Sequence, residues 1–306
     1  MKYQVILNLI VLIWGLTGIL GDFIHLPTND HGNFEINQVA MSFKIVFYRT
    51  GIAALSLLLI GVFLKKSRKL SRKEYFILLG IGGVIALHWF AFFFAIKVST
   101  ISIGVVCMTL STLFTSFLEP LIFKRKVRFS EIVISLFIIV GIVIIFGFEF
   151  KYVLGITFGI ISAFLASLFT VLNGKYVKTI SSFKITKIEM IGACMVSGIG
   201  LLFMQEWNTG LLVMSKDSFM FLLILSLVCT TFAFLVSVWV MEFVTPFTVS
   251  VSINMEPIYT IIIALILYPN QEKMSLGFYL GGGIILLAIF TNAYLKKNNR
   301  KKVNYS

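Results

Sequence analysis

Apolar residues run along the chain in unbroken blocks of about 18 to 25, and each block is long enough to cross a hydrocarbon core of ~30 Å as a helix. Ten blocks are read, at 5–24, 39–64, 75–96, 100–123, 131–148, 154–173, 187–205, 218–241, 246–268 and 276–295. They do not alternate with the period of a strand, so a barrel, with spans of about 10 alternating residues, is set aside. The pattern predicts an all-α integral membrane protein with ten transmembrane helices. Short connections leave no room for a folded soluble domain, so residues 1–306 are expected to form a single membrane domain.

The ninth block, PFTVSVSINMEPIYTIIIALILY, carries Glu256-Pro257 about nine residues in. A carboxylate there costs roughly 2.5 to 3.5 kcal/mol on insertion scales, and proline removes a backbone donor where lipid offers no replacement. The pair is expected to be surrounded by protein or by a water-filled cavity.

Composition agrees with the block pattern: 58% of the residues are hydrophobic and 13% are charged. A net charge of +13 would point to nucleic acid in a soluble protein, but the basic residues sit at alternate ends of the blocks. Lys2, the clusters at 65–73 and 124–128, Lys175 to Lys187 and Lys296 to Lys302 fall on one side, which the positive-inside rule makes cytoplasmic. The expectation is a cell (inner) membrane protein with both termini cytoplasmic, bound to lipid and not to nucleic acid. The first block is expected to be retained, since no small-x-small cleavage site follows it. Cys107, Cys194 and Cys229 lie inside blocks and suggest no disulfide or metal site.

Leu113-Phe114-Thr115 in the fourth block matches Ile258-Tyr259-Thr260 in the ninth, and this register ends the two blocks together at Phe123 and Tyr268. Trp14-Gly15 has a looser counterpart at Leu165-Ala166. Pairing Glu119-Pro120 with Glu256-Pro257 would leave the blocks ending out of step, and that register is rejected. Two five-helix repeats, 1–150 and 151–306, are therefore expected. Because five is odd, they enter the membrane from opposite sides. Inverted repeats characterise secondary transporters, which bind substrate near the midplane and rock around it.

The polar residues at membrane depth are the candidate substrate-binding groups. Glu256 shares a face with Ser252, Asn254, Tyr259 and Thr260, where it either binds a cation or titrates, or serves as a structural acid beside a kink. Arg49, deep in the second block, needs an anion or carbonyl oxygens: a substrate carboxylate or a pairing with Glu256 both fit, and snorkelling is the structural alternative. His88, followed by Trp89 and a run of phenylalanines, is either an interhelical hydrogen-bond partner or a substrate or proton contact. Ser111, Thr112, Thr115, Ser116 and Glu119 line one side of the fourth block, facing a cavity or another helix. Glu119 is expected to reach the membrane surface beside Lys124. Trp14 completes the set. No phosphate loop, HExxH, GxSxG or metal-ligand cluster is present, so no catalytic residue, cofactor or metal is expected.

In this order, several stretches resemble the drug/metabolite transporter superfamily, specifically its ten-helix EamA-type transporters. They are Trp14-Gly15, Arg49 with Thr50-Gly51-Ile52-Ala53-Ala54, Gly80 with His88-Trp89 and FFFAIK at 92–97, the Ser99 to Phe123 segment, Cys229-Thr230 and Asn254-Met255-Glu256-Pro257. The resemblance implies transport of small metabolites, often amino acids or related compounds and often outward, through a cavity open alternately to each side. Ser111-Thr112 stands where many relatives resemble a Ser-Pro pair, so only the second half is expected to carry a helix break. Protons are a candidate coupling ion, and either a monomer or a homodimer satisfies the pattern. An intramembrane enzyme using His88 and Glu256 on a lipid-linked substrate, or a membrane scaffold, are the competing classes.

Overall fold

The computed structural model describes residues 2–30, 32–64 and 68–303; His31 and the first two residues of the basic cluster, Lys65 and Lys66, lie outside the described residues. Fourteen α-helices are seen among them. In chain order they are α1 (Lys2–Trp14), α2 (Thr17–Phe23), α3 (Phe34–Phe63), α4 (Arg72–Lys97), α5 (Ile101–Cys107), α6 (Leu110–Phe123), α7 (Phe129–Phe148), α8 (Val153–Tyr176), α9 (Ser182–Phe203), α10 (Lys216–Ser226), α11 (Ala233–Val240), α12 (Pro246–Ile253), α13 (Glu256–Leu267) and α14 (Leu276–Val303). Among the described residues, nine helical stretches are long and apolar enough to cross a membrane. The tenth, Leu276–Ala288 of α14, is shorter. The protein is therefore an all-helical, multi-pass membrane protein.

Side-chain caps set several helix starts. Asn33 accepts from the Ile36 amide, and Ser71 forms a capping box with Glu74, so α3 and α4 begin a few residues earlier than the apolar blocks do. Three spans are broken near mid-depth: α1 from α2 at Gly15-Leu16, α5 from α6 at Met108-Thr109, and α12 from α13 at Asn254-Met255. The expectation that only the second half carries a break is thus corrected. The fourth span turns without proline, through tight bonds from the Met108 and Thr109 amides to the carbonyls of Val105 and Val106. Pro257 is not a kink inside a helix either. It occupies the first turn of α13, where an amide has no intrahelical acceptor to lose. A fourth irregularity, unforeseen in the sequence, is a π segment at Leu227–Phe232 between α10 and α11.

The register that aligns Leu113 with Ile258 also sets Ile101, the start of α5, against Pro246, the start of α12. These two broken spans cross: α5 packs on α13, and α6 packs on α12. Each supplies a carboxylate that satisfies the other's helix start. Glu119 of α6 accepts from the Phe247 amide at 2.6 Å, and Glu272, just beyond α13, accepts from the Ile101 and Ser102 amides at 2.8 and 2.9 Å. Glu119 therefore does not simply reach the surface beside Lys124. It is buried, and its ion-pair partner is Arg125 at 3.0 Å, which also binds Glu131. Outside the spans, partial burial works against the Arg125 charge, but hydrogen bonds and the negative charges of Glu131 and Glu119 outweigh it and raise its pKa.

Elsewhere the bundle is held by close helix contact. The backbones of α4 and α9 meet at Gly82 and Gly192, and those of α7 and α14 at Gly141 and Gly281, where a side chain on either glycine would strike the opposing backbone. Gly82→Val is expected to destabilise the protein by about 1 to 3 kcal/mol through overpacking. Gly80→Val, two residues away on another face of α4 with open space around it, is expected to leave the melting temperature in detergent unchanged. Equal shifts for the two variants would contradict this packing.

Candidate functional site

Where the broken spans meet α3, α4, α8 and α11, a cavity of about 70 Å³ lies at mid-depth. Trp14 and Thr17 contribute from the first span, Arg49 from α3, His88, Trp89 and Phe92 from α4, and Met108 from the break in the fourth span. Ala166, Phe169 and Thr170 come from α8, Phe234, Ser237 and Met241 from α11 and its end, and Val249, Ile253 and Glu256 from the ninth span. Ser237, Met241 and Val249 lie toward the end of the bundle that carries the 124–128 basic cluster. The cavity thus extends from mid-depth toward the basic face.

The π segment organises the cationic wall. Its widened turns let Thr230 and Thr231 bond the carbonyls five residues back, Leu225 and Ser226, at 2.8 and 3.0 Å. The Cys229 carbonyl accepts from the Trp14 indole at 3.0 Å, and Thr230 Oγ1 takes the Arg49 Nε at 2.6 Å. The Arg49 guanidinium then lies over the Trp89 ring, 3.9 Å from its centroid, with Phe93 at 5.8 Å. This cation–π contact offsets part of the cost of burying the charge. Arg49 is 1% exposed, its Nη1 has no hydrogen-bond partner, and among the described residues it makes no ion pair.

Glu256 faces the same space from the first turn of α13, where the helix dipole favours a negative charge. It too makes no ion pair, so Arg49 and Glu256 share the cavity without a direct bridge. His88 is fastened to α8: its Nδ1 lies 2.8 Å from Ser162 Oγ and 3.0 Å from the Ser162 carbonyl. Its ring also packs against Phe169 at the cavity wall.

Of the residues singled out in the sequence, Trp14, Arg49, His88, Trp89 and Glu256 converge on this cavity. Asn254, Tyr259, Ser111 and Thr115 do not line it. Asn254 is buried at the span crossing, with its Nδ2 donating to Thr112 Oγ1 at 2.6 Å, and Thr115 bonds Ser250 at 2.8 Å. Ser111 is buried, and its carbonyl accepts from Ser167. Tyr259 is half-buried behind Gly15. Asn254 and Thr115 thus turn to the facing span at the crossing, away from the cavity. Thr17, Phe169, Thr170 and Ser237 were missed, because a lone hydroxyl or aromatic in an apolar helix carries no distinguishing sequence signal. A second, wider groove of about 520 Å³ between α3 and α9 is lined by apolar side chains such as Phe47, Leu58 and Met195.

The pattern of the EamA-like transporter family matches residues 2–147 and again residues 153–294. The chain belongs to the EamA-like transporter family. This EamA-like protein is accordingly a membrane transporter of small molecules. A solved crystal structure superposes on it with a TM-score of 0.62 at 16% identity, over 96% of this chain and 98% of that one, a likeness in fold. No curated protein matches.

The crossing of the two broken spans rests on Asn254 and Thr112. A double-mutant cycle using Asn254→Leu and Thr112→Val is expected to give a coupling of about 0.6 kcal/mol, and no more than about 1.7, in thermal unfolding. Strict additivity would remove the interaction from the account.

Proposed function

We propose that this EamA-like transporter moves small zwitterionic or amphipathic metabolites, amino acids or related compounds, outward across the cell membrane by alternating access. The observation that carries this reading is that Arg49 and Glu256 face one small aromatic cavity at mid-depth without bridging each other. A guanidinium with an idle donor suits a carboxylate, and a carboxylate at 7% exposure suits an ammonium. Trp14, Trp89, Phe92, Phe169 and Phe234 offer apolar and π surface to the rest of the molecule. The three residue types together favour a ligand with both charges and a hydrophobic part.

On this reading the halves 1–150 and 151–306 rock about the cavity, with both termini in the cytoplasm. The crossing at α5, α6, α12 and α13 serves as the pivot. A cavity that extends toward the basic face supports loading from the cytoplasmic side, consistent with export.

Flux in proteoliposomes is the direct test, with amino acids and their amides and esters as the panel. Zwitterionic members are expected to move, and compounds lacking either charge are expected to move at least tenfold more slowly. Glu256→Gln and Arg49→Lys are each expected to reduce flux about tenfold or more with little change in melting temperature, the second because lysine cannot keep both the Thr230 bond and the stack on Trp89. A panel without flux, or variants with wild-type kinetics, would reject this assignment.

A further inference from the structure

A second carboxyl group lies inside the bundle, outside the cavity. Glu189 of α9 is completely buried, and its Oε2 receives one hydrogen bond, from Asn173 Nδ2 of α8 at 3.2 Å. Three buried polar atoms around this contact have no partner: Glu189 Oε1, Asn173 Oδ1 and Thr186 Oγ1. Thr186 and Asn173 are also completely buried, and Thr186 precedes Glu189 by one turn on the same helix face.

Among the described residues no counter-charge is at hand. Of the groups on the elements packed against α9, Arg49 of α3 stacks on Trp89 and Lys44 pairs with Glu206. Glu35 of α3 is exposed, as are Arg72 and Lys73 at the start of α4. Along α4, Glu74 pairs with Arg68, His88 bonds Ser162, and Lys97 pairs with Asp22. On α8, Lys175 lies over the Tyr176 ring, and α11 carries no charged residue. On α9 itself, Lys184 binds the Arg68 carbonyl and Lys187 lies over Phe183.

An ionised carboxylate held by one neutral hydrogen bond in such a place costs several kcal/mol. A bound proton removes the charge and supplies a donor. The amide of Asn173 can be turned by half a rotation without changing its shape, which presents the idle Oδ1 to the acid O–H. One proton thus removes the charge and gives Asn173 Oδ1 a donor, in place of the bond its Nδ2 made to the carboxylate. A metal ion is disfavoured by packing: Gly82 of α4 sits so close that a Cβ there would strike the Glu189 carbonyl, and none of the three residues lines either cavity.

We propose that Glu189, with Asn173 and Thr186, is a proton-binding site that is loaded in this conformation and discharges when the α4, α8 and α9 contact opens during transport. Asn173 lies one helical turn beyond Thr170, which lines the cavity, so the site stands directly behind the substrate wall. α9 also packs on α3 and α4, which carry Arg49, His88 and Trp89. Rearrangement of those helices around a substrate reaches Glu189 without any new contact. The proton passes between water and the carboxylate with no other bond made or broken. Its coupling to substrate rests on the transport reading; its existence does not.

The test uses the full chain in liposomes and infrared spectra taken across neutral and alkaline pH. The wild type is expected to show a carboxylic-acid C=O band that Glu189→Gln lacks and Glu256→Gln retains, and Asn173→Leu is expected to shift it to higher frequency by removing the acceptor. Glutamine mimics the neutral acid, so Glu189→Gln is expected to keep the wild-type melting temperature. A Glu189→Gln spectrum identical to that of the wild type overturns the site. With any compound that shows flux, a pH gradient of one unit is expected to change the wild-type rate up to about tenfold, and the Glu189→Gln rate not at all. A variant that still responds overturns the coupling. Absence of flux for every compound counts against the transport reading alone, and the band still decides the site.

Discussion

A helix broken inside a bilayer leaves amides and carbonyls that lipid cannot satisfy, and the architecture of this transporter depends on how that debt is met. At the breaks the amides of Met108, Thr109 and Met255 turn to carbonyls three residues back, and at the ends of the two crossing spans the start of α12 is met by Glu119 and that of α5 by Glu272. Each carboxylate belongs to the opposite broken span, so the caps bind the crossing reciprocally. Each also places its negative charge where the helix dipole favours it. The carbonyl displaced in the π segment is met by Trp14. The breaks and the π segment bring Trp14, Arg49 and Glu256 to one space, and the cavity forms among them.

The electrostatics of that cavity follow from the same arrangement. Arg49 is held by Thr230, which the π segment directs toward it, and by the face of Trp89. Neither contact uses up its Nη1. Glu256 begins α13 because the break before it exposes the first turn, and there it gains from the helix dipole without meeting Arg49. Had the two formed a bridge, the cavity would offer a ligand little beyond apolar surface. Held apart, they leave, on the proposed reading, one site for each charge of the ligand.

Much of the fold was legible, because apolar blocks of spanning length and the bias of Lys and Arg are strong signals. The cavity was half legible for a related reason: an arginine, a glutamate, a histidine and a tryptophan inside apolar blocks stand out by their cost. Helical spacing groups Ser111 and Thr115 on one face of α6 and Tyr259 with Glu256 on α13, but it does not say which neighbour such a face meets; for Thr115 and Asn254 that neighbour is the other crossing span. Nothing in the residues around Met108 announced a turn, since tertiary contacts, above all Asn254 with Thr112, hold it in place of a proline. The π segment was equally silent: Leu227–Phe232 reads as ordinary apolar helix until Arg49 and Trp14 are brought against it. Glu189 was visible as an acid in the seventh block, but Lys184 and Lys187 just before it make that stretch read as a membrane edge.

The two inner carboxyl groups differ in surroundings and so in what they can contribute. Glu256 faces space and a guanidinium across it, so on the proposed reading its charge is matched by Arg49 and by the ligand. A zwitterion in a cavity whose fixed charges already cancel carries no net charge across the membrane, and the membrane potential, about 2.3 kcal/mol per charge per 100 mV, does no work on it. A driving force must then come from the substrate gradient or from an ion bound elsewhere. Glu189, without a counter-charge among the described residues and bonded to Asn173 one turn beyond the cavity wall, is on the proposed reading placed to bring in such an ion without competing for the ligand's contacts. Separating the two sites lets substrate choice and energy coupling vary independently, which a single carboxylate serving both ligand and proton would prevent.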